Sequence, residues 1–244
     1  MDKLKKIIYT CITGEYDTPE EHYYVDPNFR YICYTDKKVL PQKSIWEFRP
    51  LKYSSADNVR NARWHKLYPH KLFPQYEESL WIDGNINITS KEFFEKMYYL
   101  RGSEFIATVK HERAKTLSDE VHECIIQKKD SKSTICAQHQ LIKSSGFDGN
   151  YDGQRFFETN VILRRHCDMR SQKLADDWWY WIKNYSYRDQ LSFTFVLWNN
   201  QFIVQDLFED YLRYANFIKI TNHGNTPKLL ERKVAGLKRK LKIY

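Results

Sequence analysis

The sequence has no C-x-x-C pair and no run approaching the ~18 consecutive apolar residues of a membrane-spanning helix. It holds only 8 glycines and 7 prolines in 244 residues. Each scarcity excludes a class. The five cysteines, Cys11, Cys33, Cys124, Cys136 and Cys167, are an odd number at irregular spacing. They predict neither a disulfide framework nor a structural zinc site, and they fit a reducing cytoplasm. Ile7 to Ile12, preceded by Lys3, Lys5 and Lys6, is too short and too polar for a signal-peptide core, so neither export nor membrane embedding is expected. Scarce glycine and proline exclude collagen-like and linker-dominated chains, and 42% hydrophobic with 16% aromatic residues excludes general disorder. A chain of this size buries roughly 70% of its unfolded surface, which supports one domain without staples.

The formal charge of +8 suggests nucleic-acid binding until it is located. Lys228, Arg232, Lys233, Lys238, Arg239, Lys240 and Lys242, against Glu231, place +6 after residue 227 and leave +2 on the rest. A body so nearly neutral argues against a nucleic-acid partner. In the basic segment Leu230, Val234, Leu237 and Leu241 recur at helical spacing. The expected division is therefore a domain over 1–226 and a basic amphipathic tail over 227–244. Such a tail suits an anionic membrane surface, and the alternative is a terminal helix docked by its leucines.

Lys6 to Ile12, Tyr31 to Thr35 and Trp46 to Arg49 read as strands, being rich in β-branched and aromatic residues. Asp57 to Tyr68 has helical spacing, with Asp57 as N-cap and Pro69 as stop. Ser79 to Asp83 is a buried strand ending in a glycine turn, and Ile86 to Ile88 resumes extended structure. Ser90 is expected to cap a helix through about Leu100. Phe105 to Val109 and Phe157 to Arg164 follow as strands, and Leu117 to Gln127, Ser131 to Ser145, Ser171 to Tyr185 and Arg188 to Trp198 as helices. Alternating strands and helices predict an α/β sheet with crossover helices. Ligands collect beyond the carboxyl ends of such strands, which here carry Thr13-Gly14, Thr35-Asp36, Asp83-Gly84-Asn85 and Lys110-His111-Glu112-Arg113.

Among these ends, Asp83-Gly84-Asn85 carries the most chemistry. An aspartate leaving a hydrophobic strand, then glycine, then a second side-chain oxygen can offer two hard ligands to one Mn²⁺ or Mg²⁺ while the backbone turns tightly. An ion so held, shared with a diphosphate, stabilises the charge of a leaving nucleoside diphosphate. The plain alternative is a polar β-turn. Arg60, Arg63 and Lys66 recur every third residue on one helix, so at least two point the same way. Trp178, Trp179 and Trp181 point in different directions around a helix, which suggests core packing for most of them rather than a sugar platform.

The run Arg60-x-x-Arg63-Trp64-His65-Lys66-Leu67-Tyr68-Pro69, then Leu72-Phe73-Pro74, then Ser79 to Asn85 is similar to the helix, proline turn and D-x-D strand of glycosyltransferase family 8. A fuller resemblance, reaching to about Trp198, is to the glycosyltransferase-like family once catalogued as domain of unknown function 616. It is carried by Tyr9 to Asp17, Tyr31 to Asp36, Trp81 to Ile86, Val161 to His166 and Arg188 to Phe193. The resemblance implies a single-domain glycosyltransferase fold of type A (GT-A), with a mixed, mostly parallel central sheet flanked by helices.

The implied activity is transfer of a sugar from a nucleotide-sugar donor, UDP-linked by expectation, to a glycan or lipid-linked glycan. The implied setting is cell-surface polysaccharide or lipopolysaccharide synthesis at the cytoplasmic face of a membrane, and family 8 leans toward retention of configuration. On this reading Thr10, Thr13, Gly14, Tyr16 and Asp36 meet the base and ribose, and Arg63 and Lys66 the diphosphate. Asp83, Asn85 and His223 hold Mn²⁺ or Mg²⁺, with Asn85 replacing a second aspartate and His223-Gly224-Asn225-Thr226-Pro227-Lys228 only loosely matching the family's C-terminal pattern. His111 and Asn160 are candidates for the sugar or acceptor, and Asp189 for the catalytic base or for orienting a sugar hydroxyl. Each has a structural alternative: a loop histidine for His111, a helix cap for Asp189, a solvated basic face for Lys66. A metal-dependent hydrolase of a nucleotide sugar or lipid, and a non-catalytic carbohydrate-binding module, are the competing functions.

Overall fold

A computed structural model of the chain describes residues 6–14, 18–149, 151 and 156–221. Tyr16, His223 and the tail 227–244 lie outside the described residues. In chain order the elements are β1 (Lys6–Ile12), β2 (Phe29–Thr35), β3 (Glu47–Pro50), α1 (Asn58–Leu67), α2 (Pro69–Leu72), β4 (Glu78–Ile82), β5 (Ile86–Ile88) and α3 (Glu92–Lys96). There follow β6 (Ile106–Lys110), α4 (Leu117–Ile126), α5 (Lys132–Ser144), β7 (Phe157–Arg165), α6 (Met169–Asn184), α7 (Gln190–Asn200), β8 (Gln205–Asp206) and β9 (Ile218–Ile220). No helix among the described residues is long and apolar enough to cross a membrane.

The main sheet has seven strands in the order β3-β2-β1-β4-β7-β6-β8, and β5 pairs separately with β9. β7 runs antiparallel to both of its neighbours, whereas every other pair in the main sheet is parallel. The expected mixed, mostly parallel sheet with flanking helices is the observed one. Alternate residues of β1 face opposite layers, as the two-residue period of a strand requires. Ile7, Tyr9 and Cys11 join the larger core with Leu67, Leu174, Trp178 and Leu197 from the helices. Ile8 and Ile12 join a second core with Ile86, Phe93 and Phe217. Both faces are covered, so β1 is apolar nearly throughout.

Local chemistry sets the helix starts. Asp57 accepts from Arg60 N at 3.0 Å at the head of α1, and Thr116 and Asp119 form a reciprocal capping box on α4. Two expectations need correction. Pro69 does not simply stop α1 but opens the short α2, as proline can in a first helical turn. The helix expected from Ser90 to about Leu100 is only Glu92–Lys96, with no side-chain cap. Met97 turns extended and Tyr98 N donates to Leu207 O at 2.9 Å, so the chain is diverted to the segment after β8.

Because β7 is reversed, its first residues reach the same edge of the sheet as the last residues of β4 and β6. That edge also receives the ends of β1 and β2. A register break on β7 shapes it further: Thr108 pairs with Ile162 but Val109 with Glu158, so Thr159, Asn160 and Val161 bulge out of the β6 ladder. Thr108 Oγ1 lies 2.8 Å from Glu158 O and 2.7 Å from Val161 O and closes the bulge. Bulges re-aim side chains, and this one turns Thr159 and Asn160 toward the end of β4.

Candidate active site

Asp83 follows β4 directly. Its backbone N–H donates to Asn160 O at 2.8 Å, and its Oδ1 accepts from Trp81 Nε1 at 2.7 Å. The strand that delivers the aspartate and the bulge beside it therefore fix its position. Gly84 then passes over β1: a Cβ there would meet Ile12 Cδ1 at 2.3 Å and lie 3.7 Å from Thr10 Oγ1. Close approach of backbone to side chain explains the glycine. Glu20 N donates to Gly84 O at 2.9 Å and holds the far side of the turn.

Beneath Asp83 lies a buried charge pair. Lys66 Nζ, on α1, is 2.6 Å from Asp189 Oδ2, 3.1 Å from Thr159 Oγ1 and 3.6 Å from Asp83 Oδ1. The side chains of Lys66 and Asp189 are 1% and 3% exposed. Thr159 Oγ1 donates to the same carboxylate oxygen at 2.9 Å, and Arg63 Nε is 3.6 Å from the other. Burial opposes the charge of Asp189, but Arg63, Lys66 and Arg188 outweigh it and hold the carboxyl far below its ordinary range. Burial draws the Lys66 ammonium below its usual range, against the opposing pull of the Asp189 and Asp83 carboxylates.

The structure thus brings together Arg63, Lys66, Asp83, Asn160 and Asp189, five of the expected residues from four stretches of chain. Asp189 stands at the N-terminal end of α7 but does not cap it with its side chain: it takes helical angles (φ −58°, ψ −37°) and makes no side-chain cap bond. Its carboxylate faces Lys66, and its carbonyl accepts from Trp178 Nε1 at 2.9 Å. Lys66 is likewise no solvated cation. Arg60 turns away to donate to Ile182 O, in the last turn of α6, and to Tyr185 O just beyond it, at 2.9 and 2.7 Å. Thr159 is the member that the sequence did not reveal, and Trp81 and Arg188 stood there as motif residues without a role. A bulge leaves no periodic signature by which Thr159 could be found, whereas Trp81, two residues before Asp83 and so on the same side of the strand, was findable.

The expected nucleotide residues occupy the ends of β1 and β2. Asp36 accepts from Gly14 N with both oxygens, at 3.1 and 3.0 Å, and Gly14 has φ +63°, open to glycine. Thr13 Oγ1 donates to Asn58 O at 2.6 Å and ties this end to α1. Thr10 departs from its expected place facing the base and ribose: it is fully buried under Gly84, where no ligand reaches it. A cavity of about 260 Å³ opens beside these residues, lined by Ile12, Pro19, Thr35, Leu40 and Phe48 among others. Ile12 is shared between its wall and the floor of the Gly84 turn.

His111 is engaged within the protein. Its Nδ1 accepts from Arg113 N and Ala114 N at 3.1 and 2.8 Å, and its Nε2 is 3.4 Å from Glu120 Oε2. These contacts join it to the buried Glu120, which Arg188 approaches at 3.7 Å. Asn85 is clasped to the chain beyond β9: its Nδ2 donates to Thr221 O at 3.0 Å, and its carbonyl accepts from Thr221 N at 2.9 Å. Among the described residues no hydrogen bond engages Asn85 Oδ1 or Asp83 Oδ2. Two oxygens of the hard type that Mn²⁺ and Mg²⁺ prefer are thus free at the corner. No group of three or more His, Cys, Asp or Glu poised for a metal occurs among the described residues.

The family model for the TOD1/MUCI70 glycosyltransferase-like domain matches residues 35–223, most of the chain. The chain belongs to this family. A curated relative, the probable hexosyltransferase MUCI70 of Arabidopsis thaliana, is 28% identical over 149 residues, which is 58% of this chain and 25% of that protein. The chain spans about a quarter of that relative's length. Two similar solved structures are the apo form of the bifunctional glycosyltransferase WbbM and that of mouse xyloside xylosyltransferase 1. WbbM is 12% identical with a TM-score of 0.48 over 89% of this chain and 43% of its own. The xylosyltransferase is 11% identical with a TM-score of 0.48 over 83% of this chain and 84% of its own.

For a member of the TOD1/MUCI70 family the Lys66–Asp189 pair makes a direct prediction. Removing one partner of a buried pair leaves an uncompensated charge and costs roughly 3–5 kcal/mol. Lys66→Met and Asp189→Leu should each lose stability on that scale in urea unfolding, and the double variant should lose clearly less than the sum of the two. Additive losses would show that the two side chains do not interact.

Proposed function

We propose that this glycosyltransferase-like domain transfers a hexose from a nucleoside-diphosphate donor, UDP-linked, to a hydroxyl of a glycan or lipid-linked glycan. The observation that carries the reading is the Lys66–Asp189–Arg63 charge cluster, held directly beneath Asp83 at the carboxyl edge of the sheet. A GT-A fold built from residues 1–226 accounts for that placement. The nucleobase enters the cavity against Ile12 and Phe48, and the Gly14–Asp36 bond shapes the ribose side. Tyr16 is assigned to the base or ribose on this reading.

The diphosphate lies at Asp83-Gly84-Asn85, and Asp83 Oδ2 with Asn85 Oδ1 would hold Mn²⁺ or Mg²⁺ there. The ion, when bound, offsets negative charge on the departing diphosphate. His223 is the third ligand on this reading.

Arg63 and Lys66 set a positive potential under the leaving group. Asp189 is a poor proton acceptor, since a carboxyl held far below its ordinary range has little affinity for a proton at neutral pH. Its role is to hold Lys66 and, through that side chain, the carboxylate of Asp83, which is neither of the two roles expected of it. Asn160 fixes the Asp83 amide. His111, with both ring nitrogens engaged, has no part in this chemistry.

Incubation with a panel of nucleotide sugars and Mn²⁺ tests the reading. The chain should release nucleoside diphosphate from at least one donor. Asp83→Ala should lower release about 100-fold or more while leaving the melting temperature within a few degrees. Wild-type turnover by the variant, or no thermal stabilisation of the chain by any donor, would overturn the assignment. Release that yields only free sugar in the presence of every acceptor offered would instead mark hydrolysis.

The basic residues 227–244 suit a cytoplasmic membrane face, where lipid-linked acceptors of polysaccharide or lipopolysaccharide synthesis present themselves. Truncation after Pro227 should cut sedimentation with phosphatidylserine vesicles several-fold while leaving donor turnover unchanged. Equal sedimentation of the truncated chain would remove the membrane from the account.

A further inference from the structure

The β6–β7 side of the corner carries an exposed aromatic step that donor binding leaves unused. In the 3-10 turn Leu212–Tyr214 and the residue before it, Tyr214 is 71% exposed and Tyr211 38% exposed. Their rings meet edge to face at 6.4 Å. Tyr214 does not swing freely, because its hydroxyl donates to the Glu112 carboxylate. Arg213, between the two tyrosines, bridges inward, with Nε 2.8 Å from Glu158 Oε1 and 3.5 Å from Glu112 Oε2. Glu158 is 3% exposed and accepts from Asn160 Nδ2 at 2.7 Å, and Asn160 O accepts from Asp83 N at 2.8 Å. An unbroken line of direct contacts therefore joins the aromatic step to the donor corner. Along it Asn160 Oδ1 is shut from solvent with no partner.

The charges around the step select among sugars. Glu112, Glu158 and the exposed Glu209 and Asp210 outnumber Arg113 and Arg213. Such a surface repels uronates and phosphorylated sugars at short range. A largely exposed aromatic ring offers a face to the C–H side of a pyranose, and the surrounding carboxylates and guanidinium suit its hydroxyls.

We propose that Tyr214, with Tyr211, is the stacking platform of an acceptor subsite for an uncharged pyranose, and that Arg213, Glu158 and Asn160 set that platform against Asp83. The inference rests on the glycosyl-transfer reading.

The test is saturation-transfer NMR on the full chain with lactose, cellobiose and digalacturonate as probes. At least one neutral disaccharide should receive saturation and digalacturonate should not, and Tyr214→Ala should weaken the neutral signal fivefold or more. Tyr214→Phe, which keeps the ring and loses the bond to Glu112 that fixes it, should fall between the wild type and Tyr214→Ala. Equal signals with Tyr214→Ala, no signal from either neutral disaccharide, or preference for digalacturonate would overturn the subsite. Donor-only diphosphate release, measured on the same samples, separates the two readings. Release that is normal in the wild type and in Tyr214→Ala, with sugar signals indifferent to Tyr214, rejects the platform alone. Absence of release from the wild type, with Tyr214-dependent sugar signals intact, rejects the transferase reading instead.

Discussion

The contact between the Lys66 ammonium and the Asp189 carboxylate is the interaction on which the rest of the site depends. Neither charge has access to water, so each is tolerable only with the other in place. The pair joins α1 to the start of α7, and Thr159 joins both to the bulge of β7. From there the order passes upward to Asp83, through Lys66 on one side and the Asn160 carbonyl on the other. An aspartate at a strand end would otherwise be a mobile turn residue. Here Trp81, Lys66 and Asn160 constrain it, and one carboxylate oxygen is left free of hydrogen bonds among the described residues.

That arrangement divides the labour at the sheet edge. The β1–β2 side offers an apolar cavity and the Gly14–Asp36 bond, features suited to a flat base and a ribose. The β4 end offers a carboxylate and an amide oxygen above a buried cation. The β6–β7 side offers a bridged arginine and exposed tyrosines. The reversed strand β7 makes this possible, because only an antiparallel strand brings its beginning, with Glu158, Thr159 and Asn160, to the edge where its neighbours end.

Much of this was legible in the residues. β1 begins and ends where its β-branched run does, and Asp57 caps α1 as its position before an unbroken helical stretch implies. The Asp83 turn and the cationic helix were readable because polar groups at strand ends and repeated cations on one helix are local signals. What was not readable depends on distant pairing. Asp189 before a helix looks like a cap until Lys66, 123 residues away, claims its carboxylate. Arg60 looks solvated until the carbonyls of Ile182 and Tyr185, at the end of α6 and just beyond it, are placed against it. Thr159 becomes visible only with the bulge, and Thr10 seems ligand-facing until Gly84 is laid over it. The two- and three-residue strands β8 and β9 are too short to carry a period, although β9 is what ties the chain to Asn85.

The central claim is that the diphosphate of a nucleotide donor sits on the Asp83 corner, and the Trp81 indole N–H, bonded to the Asp83 carboxylate, reports on that spot directly. In a ¹H–¹⁵N spectrum with the Trp81 indole resonance identified by its loss in Trp81→Phe, titration with UDP and Mg²⁺ should move that resonance more than those of the other six tryptophans. A Trp81 resonance that stays in place while UDP binding shifts peaks elsewhere would contradict the account.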